Sequence, residues 1–280
     1  MTGSFLAEVL KLRNRPAVWV LGGLWLAVVV LFLYLLPALV FAVIAANAPP
    51  GTETVLEAQL STLTLGNLPP YLLQFLFPGL GTAVALILGA LAAGSEYGWE
   101  TLKTVLSQRP GRLGVLSGKL LALGALLLLF VLAAFLVGAL SSLVVALLSG
   151  ASLAPPPAAE LLEGLGAGAL ILILWATFGF ALATLFKGTA LAVGLGLIYA
   201  FAIEPVFAGL SSVSESLRAI ADFLPGVSTS VLSLALIETP GNPEFQESLP
   251  DPTRSALVML LYAAVFVLVT ALVFRQRDVT

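Results

Sequence analysis

Long stretches of this chain carry no ionisable side chain. None lies between Arg15 and Glu53, Glu57 and Glu96, Lys119 and Glu160, or Glu163 and Lys187. Arg254 to Arg275 is another such run, and Lys187 to Glu204 is a shorter one. A helix needs roughly 20 apolar residues to cross about 30 Å of hydrocarbon, and five of these runs are long enough. The sixteen residues between Lys187 and Glu204 make about 24 Å of helix, which spans only if Lys187 snorkels. The pattern predicts an all-α integral membrane protein with a single transmembrane domain over residues 1–280. Its six transmembrane helices are expected at about 17–46, 71–94, 120–148, 165–186, 189–205 and 255–274.

Between the spans the pattern changes character. Over residues 4–16, Phe5, Leu6, Val9, Leu10 and Leu12 fall on one arc at 100° per residue, and Glu8, Lys11 and Arg15 on the other, with Arg13 as the exception. Ser4 can cap this stretch. It reads as an N-terminal helix lying in the membrane interface, with Lys11, Arg13 and Arg15 near lipid phosphates. From Trp99 to Gln108 a second short helix is expected, with Trp99, Leu102, Val105 and Leu106 on one face and Glu100, Lys103, Thr104, Ser107 and Gln108 on the other. Pro110 ends it, because the residue before a proline avoids the helical region. Pro37 is a candidate kink in span one, and Pro78 interrupts span two. Span five is expected to end near Glu204-Pro205. Beyond it, Glu215, Arg218, Asp222 and Pro225-Gly226 break up residues 206–238, so two outer re-entrant half-helices, about 206–222 and 227–237, fit better than one crossing.

Composition sharpens this. The chain of 280 residues is 60% hydrophobic and only 10% charged, where a soluble domain has about 25% charged residues. Mean hydropathy is +1.09. The first apolar run, far longer than the 7–15 residues of a signal-peptide core, reads as a retained span. With six spans both termini share a side, and that side holds ten cations, among them Lys11, Arg13, Arg15, Lys103, Arg109, Lys119 and Arg275, against Arg218 and Arg254 on the other. Excess Lys and Arg mark the cytoplasmic face, so both termini are expected in the cytoplasm of a multi-pass cell-membrane protein, with the lipid bilayer as solvent and no nucleic-acid partner.

Catalytic chemistry finds little to work with. There is no cysteine and no histidine, which removes thiol nucleophiles, disulfides, thiolate metal sites and the commonest base. Gly111 to Lys119 superficially resembles a phosphate loop, but the required first glycine is Leu113 and the residue after Lys119 is Leu120. Glu53/Glu57 and Glu160/Glu163 have helical spacing but fall in loops, where solvated faces are the simpler reading. Gly164 and Gly168 have small-xxx-small spacing. Gln74, Ser141, Ser142 and Thr177 are polar points suited to interhelical hydrogen bonds. Glu204 has two readings. An acid inside a span costs about 2.5–3.5 kcal/mol at the bilayer centre, so it either lines a pathway or steadies a re-entrant turn, or else it sits at the outer interface after a short helix. No catalytic, cofactor-binding or metal-binding residues are expected.

Taken in order, four stretches resemble the membrane-spanning permease subunit of type-2 ATP-binding-cassette (ABC) exporters. They are Glu8-Val9-Leu10-Lys11-Leu12-Arg13; Gly94-Ser95-Glu96-Tyr97-Gly98-Trp99-Glu100-Thr101-Leu102-Lys103 running on to Arg109-Pro110; Gly118-Lys119-Leu120-Leu121; and Phe274-Arg275-Gln276-Arg277-Asp278-Val279. The resemblance implies a separate cytosolic ABC ATPase that binds ATP-Mg, and a pathway shared with a second copy or a related permease. It implies that the helix near 99–109 is a coupling helix, with Glu96, Trp99, Glu100, Lys103 and Arg109 touching the ATPase. Residues 4–16 would then match the family's elbow helix, and Glu204-Pro205 would open its outer re-entrant region. The apolar spans lead to an expected apolar or amphipathic export substrate. An ATP-independent secondary transporter and a non-transporting anchor subunit remain as alternatives.

Overall fold

A computed structural model describes residues 2–47, 49, 59–98, 111–211, 214–236 and 250–276. Among these there is no strand, and six helices are long and apolar enough to cross a membrane: Pro16–Asn47, Phe77–Ser95, Leu113–Ser149, Ala158–Phe186, Thr189–Leu210 and Pro252–Gln276. We call them spans one to six. The N-terminal helix is Thr2–Arg13. Leu68–Phe75 leads into span two, and Glu215–Ala221 and Pro225–Leu234 lie between spans five and six.

Spans two and four form the core, and spans one, five and six turn much of their apolar surface outward. Trp19, Phe32, Val43, Leu191, Val206 and Leu261 are all exposed, which suits a hydrocarbon solvent. The two central spans touch backbone to backbone. A Cβ at Gly89 would fall 1.9 Å from the Ala176 carbonyl oxygen, and one at Gly179 would fall 2.2 Å from the Leu86 carbonyl oxygen. Glycine at both places allows an approach no other residue permits. Gly164 and Gly168 also sit at contacts, against Pro69 and Phe77.

Prolines leave their mark on three spans without ending them. Span one is π-helical over Val28–Leu35, just before Pro37; Phe77–Gly81 contains Pro78; and Tyr199–Ile203 precedes Pro205. A proline lacks the N–H that serves the carbonyl four residues back, and a wider turn accommodates the misfit. In span one that carbonyl is Leu33, and the Tyr71 hydroxyl donates to it. Tyr34, one residue on, accepts a hydrogen bond from Ser142 Oγ of span three at 3.0 Å, and Trp25 Nε1 donates to the Phe130 carbonyl at 3.0 Å.

Several boundaries differ from the expected ones. Span three is part of a 38-residue helix, Arg112–Ser149, about 57 Å long. It starts well before 120 because Lys119 is not a boundary but a buried, paired residue. Span five does not break at Glu204-Pro205. The π turn absorbs the proline and the helix runs to Leu210. The expected half-helix 206–222 is therefore partly the end of span five and partly Glu215–Ala221, whereas Pro225–Leu234 occupies most of 227–237. The left-handed Lys187 (φ 54°) closes span four, and Gly188 leads directly into span five.

Candidate functional site

The end of the bundle that carries the N-terminal helix is built around short polar contacts. Gly118 is where that helix lies on span three, since a Cβ there would come within 2.8 Å of Ser4 Cβ. One residue further, Lys119 is 2% exposed and its Nζ donates to Glu8 Oε1 at 3.0 Å, while Glu8 Oε2 lies 3.6 Å from Lys11 Nζ. A buried ammonium is tolerable only when paired in this way. Glu8 is thus turned towards the bundle, and Leu6 and Leu10 are exposed. Sequence periodicity set Glu8 on the arc opposite Leu6 and Leu10, but it could not foresee a cation waiting on span three.

Arg15 is buried too, not directed at lipid phosphates. Its Nη1 donates to the Leu91 carbonyl at 2.9 Å and its Nη2 to Ser95 Oγ at 2.6 Å. A cation over the last turns of a helix is favoured by the helix dipole. Arg13 is exposed, and its carbonyl accepts a 2.7 Å hydrogen bond from Trp19 Nε1. Gly94 completes the arrangement: a Cβ there would meet Thr189 Oγ1 at 2.5 Å, so the start of span five rests on the end of span two.

The last turns of span two and the first turns of span three are therefore fixed to the N-terminal helix, span one and span five. These are the two pieces of chain that enter and leave residues 99–110. The backbone of Glu96 lies in the helix ending at Gly98. Trp99, Glu100, Lys103 and Arg109 lie outside the described residues.

At the opposite end, Glu204 is 3% exposed. Its Oε1 accepts from the backbone N–H of Gly226 and, at 3.3 Å, from that of Val227, the opening residues of the helix Pro225–Leu234. Gly226 makes this possible, since a Cβ there would stand 2.7 Å from the carboxyl carbon. The same helix is tied to span four through Trp175 Nε1, which donates to Thr229 Oγ1 at 3.2 Å. A cavity of about 640 Å³ opens beside Glu204, Pro205, Thr82 and Trp175. A second, of about 1500 Å³, lies between span one and Leu68–Phe75 and is lined by Phe32, Phe41, Tyr71 and Phe75, with Gln74 and Glu160 as polar points.

No cluster of three or more His, Cys, Asp or Glu that could hold a metal occurs among the described residues. The Glu8–Lys119 pair went unseen in the sequence because its members are 111 residues apart. The only signal was a lysine adjoining a long apolar run.

Against known families, the profile described as ABC-2 family transporter protein matches residues 4–203. That stretch runs from the N-terminal helix to the residue before Glu204 and takes in residues 99–110. No curated protein matches the chain at a significant level.

Proposed function

This chain belongs to the ABC-2 transporter family, and from that premise we propose that it is the permease subunit of an ABC exporter, driven by ATP-Mg bound to a separate cytosolic ATPase. The match over residues 4–203 carries the reading. Both termini face the cytoplasm, in keeping with ten cations on that side against two on the other. A second copy, or a related permease, completes the pathway.

Residues 99–109 are the coupling helix. Its Trp99, Glu100, Lys103 and Arg109, with Glu96 just before it, meet the ATPase. When ATP closes the ATPase dimer the coupling helix moves, and the polar contacts at its roots pass that movement on. Arg15 takes it from span two to span one, Lys119–Glu8 from span three to the N-terminal helix, and Gly94 from span two to span five. To drive the pathway between two states, nucleotide must favour one of them by several kcal/mol. A rigid root loses less of that than a loose one. The substrate is apolar or amphipathic, since the spans carry few polar groups and the 1500 Å³ cavity is lined mostly by apolar residues, Phe32, Phe41, Tyr71 and Phe75 among them.

The test is the chain co-expressed with the ATPase encoded nearest to it, wild type against Glu100→Arg/Lys103→Glu. The expected result is a stable complex with permease-stimulated ATP turnover that falls at least tenfold, or an assembly that is lost, in the double variant. Unchanged assembly and turnover would refute coupling through this helix.

A further inference from the structure

Glu204 sits 22 residues from its hydrogen-bond donor Gly226, inside a span that otherwise runs from Thr189 to Leu210 without another charge. Its two oxygens are treated differently. Oε1 is taken by two backbone N–H groups at the positive end of a helix of ten residues. Oε2 is buried with no hydrogen-bond partner among the described residues, and the buried Thr82 Oγ1, on span two across the same cavity, is in the same condition. A buried carboxylate with half its acceptor capacity unmet is costly. A helix end of this kind ordinarily receives an anion, but here the chain's own carboxylate occupies it. What is left over is acceptor capacity, which a hydrogen-bond donor or a nearby positive charge would relieve.

The rest of the cavity agrees. Its charged walls are Glu204 and Asp222 against Arg218, a net charge of −1. Trp175, Phe201, Val231 and Leu234 supply an apolar and aromatic surface, and aromatic faces attract cations. A volume of about 640 Å³ lies within the 300–1,000 Å³ range of small-molecule sites that combine apolar walls with a few fixed polar groups. We propose that this cavity is a binding subsite for the cationic head of an amphipathic organic molecule, with Glu204 as its counter-ion and Thr82 as a supporting acceptor. The inference rests on the transporter reading and narrows its substrate to amphipathic monocations.

The experiment uses the full chain in lipid nanodiscs without ATPase, so its outcome is independent of the coupling test. Tetraphenylphosphonium and its anionic isostere tetraphenylborate are titrated by equilibrium dialysis, with empty discs subtracted. Three variants are compared with wild type: Glu204→Gln, Asp222→Asn and Arg218→Gln. The expected result is saturable phosphonium binding weakened about tenfold by Glu204→Gln (near 1.4 kcal/mol), weakened a few-fold by Asp222→Asn and tightened a few-fold by Arg218→Gln, with no such gain for tetraphenylborate. Asp222 and Arg218 lie outside the spans, so their variants keep the test decisive if Glu204→Gln does not fold. A role for Glu204 that only ties span five to Pro225–Leu234 would leave cation affinity unmoved by Arg218→Gln. The proposal is overturned by wild-type phosphonium binding no greater than in empty discs, by equal affinity in all variants, or by parallel changes for both ions.

Discussion

Replacing Gly89 by alanine tests the contact on which the bundle is organised. The added methyl would stand 1.9 Å from the Ala176 carbonyl oxygen, 2.7 Å from its carbon and 2.9 Å from Cα. Ordinary contact needs about 3.5 Å, so the spans must part by roughly 1.6 Å. The obstacle is backbone, with no side-chain rotamer to yield. Overpacking costs typically ~1–3 kcal/mol, and parting the spans also weakens the reciprocal contact of Gly179 with Leu86, where close Cα–H···O approaches contribute about 0.5–1 kcal/mol each. The expected loss is about 3 kcal/mol. By the scaling for chains of comparable size this lowers Tm by roughly 6–12 °C. Gly124→Ala is the control, because a Cβ there meets nothing within 4 Å and alanine favours the helix by up to ~1 kcal/mol. Thermal unfolding of purified protein in one detergent reads both. Gly179→Ala should resemble Gly89→Ala, and the double variant should cost less than the sum, since one displacement relieves both clashes. If Gly89→Ala melts within about 2 °C of Gly124→Ala, the spans do not cross as described.

Two further outcomes follow from the root contacts and the topology. Glu8→Gln or Lys119→Met alone removes one member of this buried pair, and each should destabilise by up to about 3–5 kcal/mol, Lys119→Met by less because Glu8 keeps Lys11 at 3.6 Å; the double variant should recover part of that in the same thermal assay, and additive losses would refute the pairing. Because the chain has no cysteine, single cysteines report sidedness. Ser152→Cys should react with a membrane-impermeant maleimide in intact cells and Gly111→Cys only after permeabilisation, and the reverse pattern would invert the topology.

Much of the architecture was legible because it is written in charge. Uninterrupted apolar runs between Arg15 and Glu53, or Glu163 and Lys187, mark spans directly, since few other arrangements keep so many residues from water. The same reasoning failed where a charge is paired inside the protein. Lys119 read as the edge of span three and lies within its helix; Arg15 read as a lipid contact and serves the Leu91 carbonyl and the Ser95 hydroxyl of span two. Pro205 read as a terminator, but a single π turn lets a helix pass a proline, and nothing local in the sequence announces that turn. Glu204 was singled out by its cost. Its partner was hidden, because Gly226 offers only a backbone N–H and the absence of a side chain, neither of which leaves a pattern.

Cross-linking from the coupling segment tests the central claim most directly. Lys103→Cys, the chain's single thiol, carries a benzophenone maleimide in membranes containing the co-expressed ATPase, and Ser152→Cys serves as the control at the opposite end. The account predicts a light-dependent adduct between permease and ATPase from position 103 and none from position 152. No adduct from 103, or equal adducts from both positions, would contradict it.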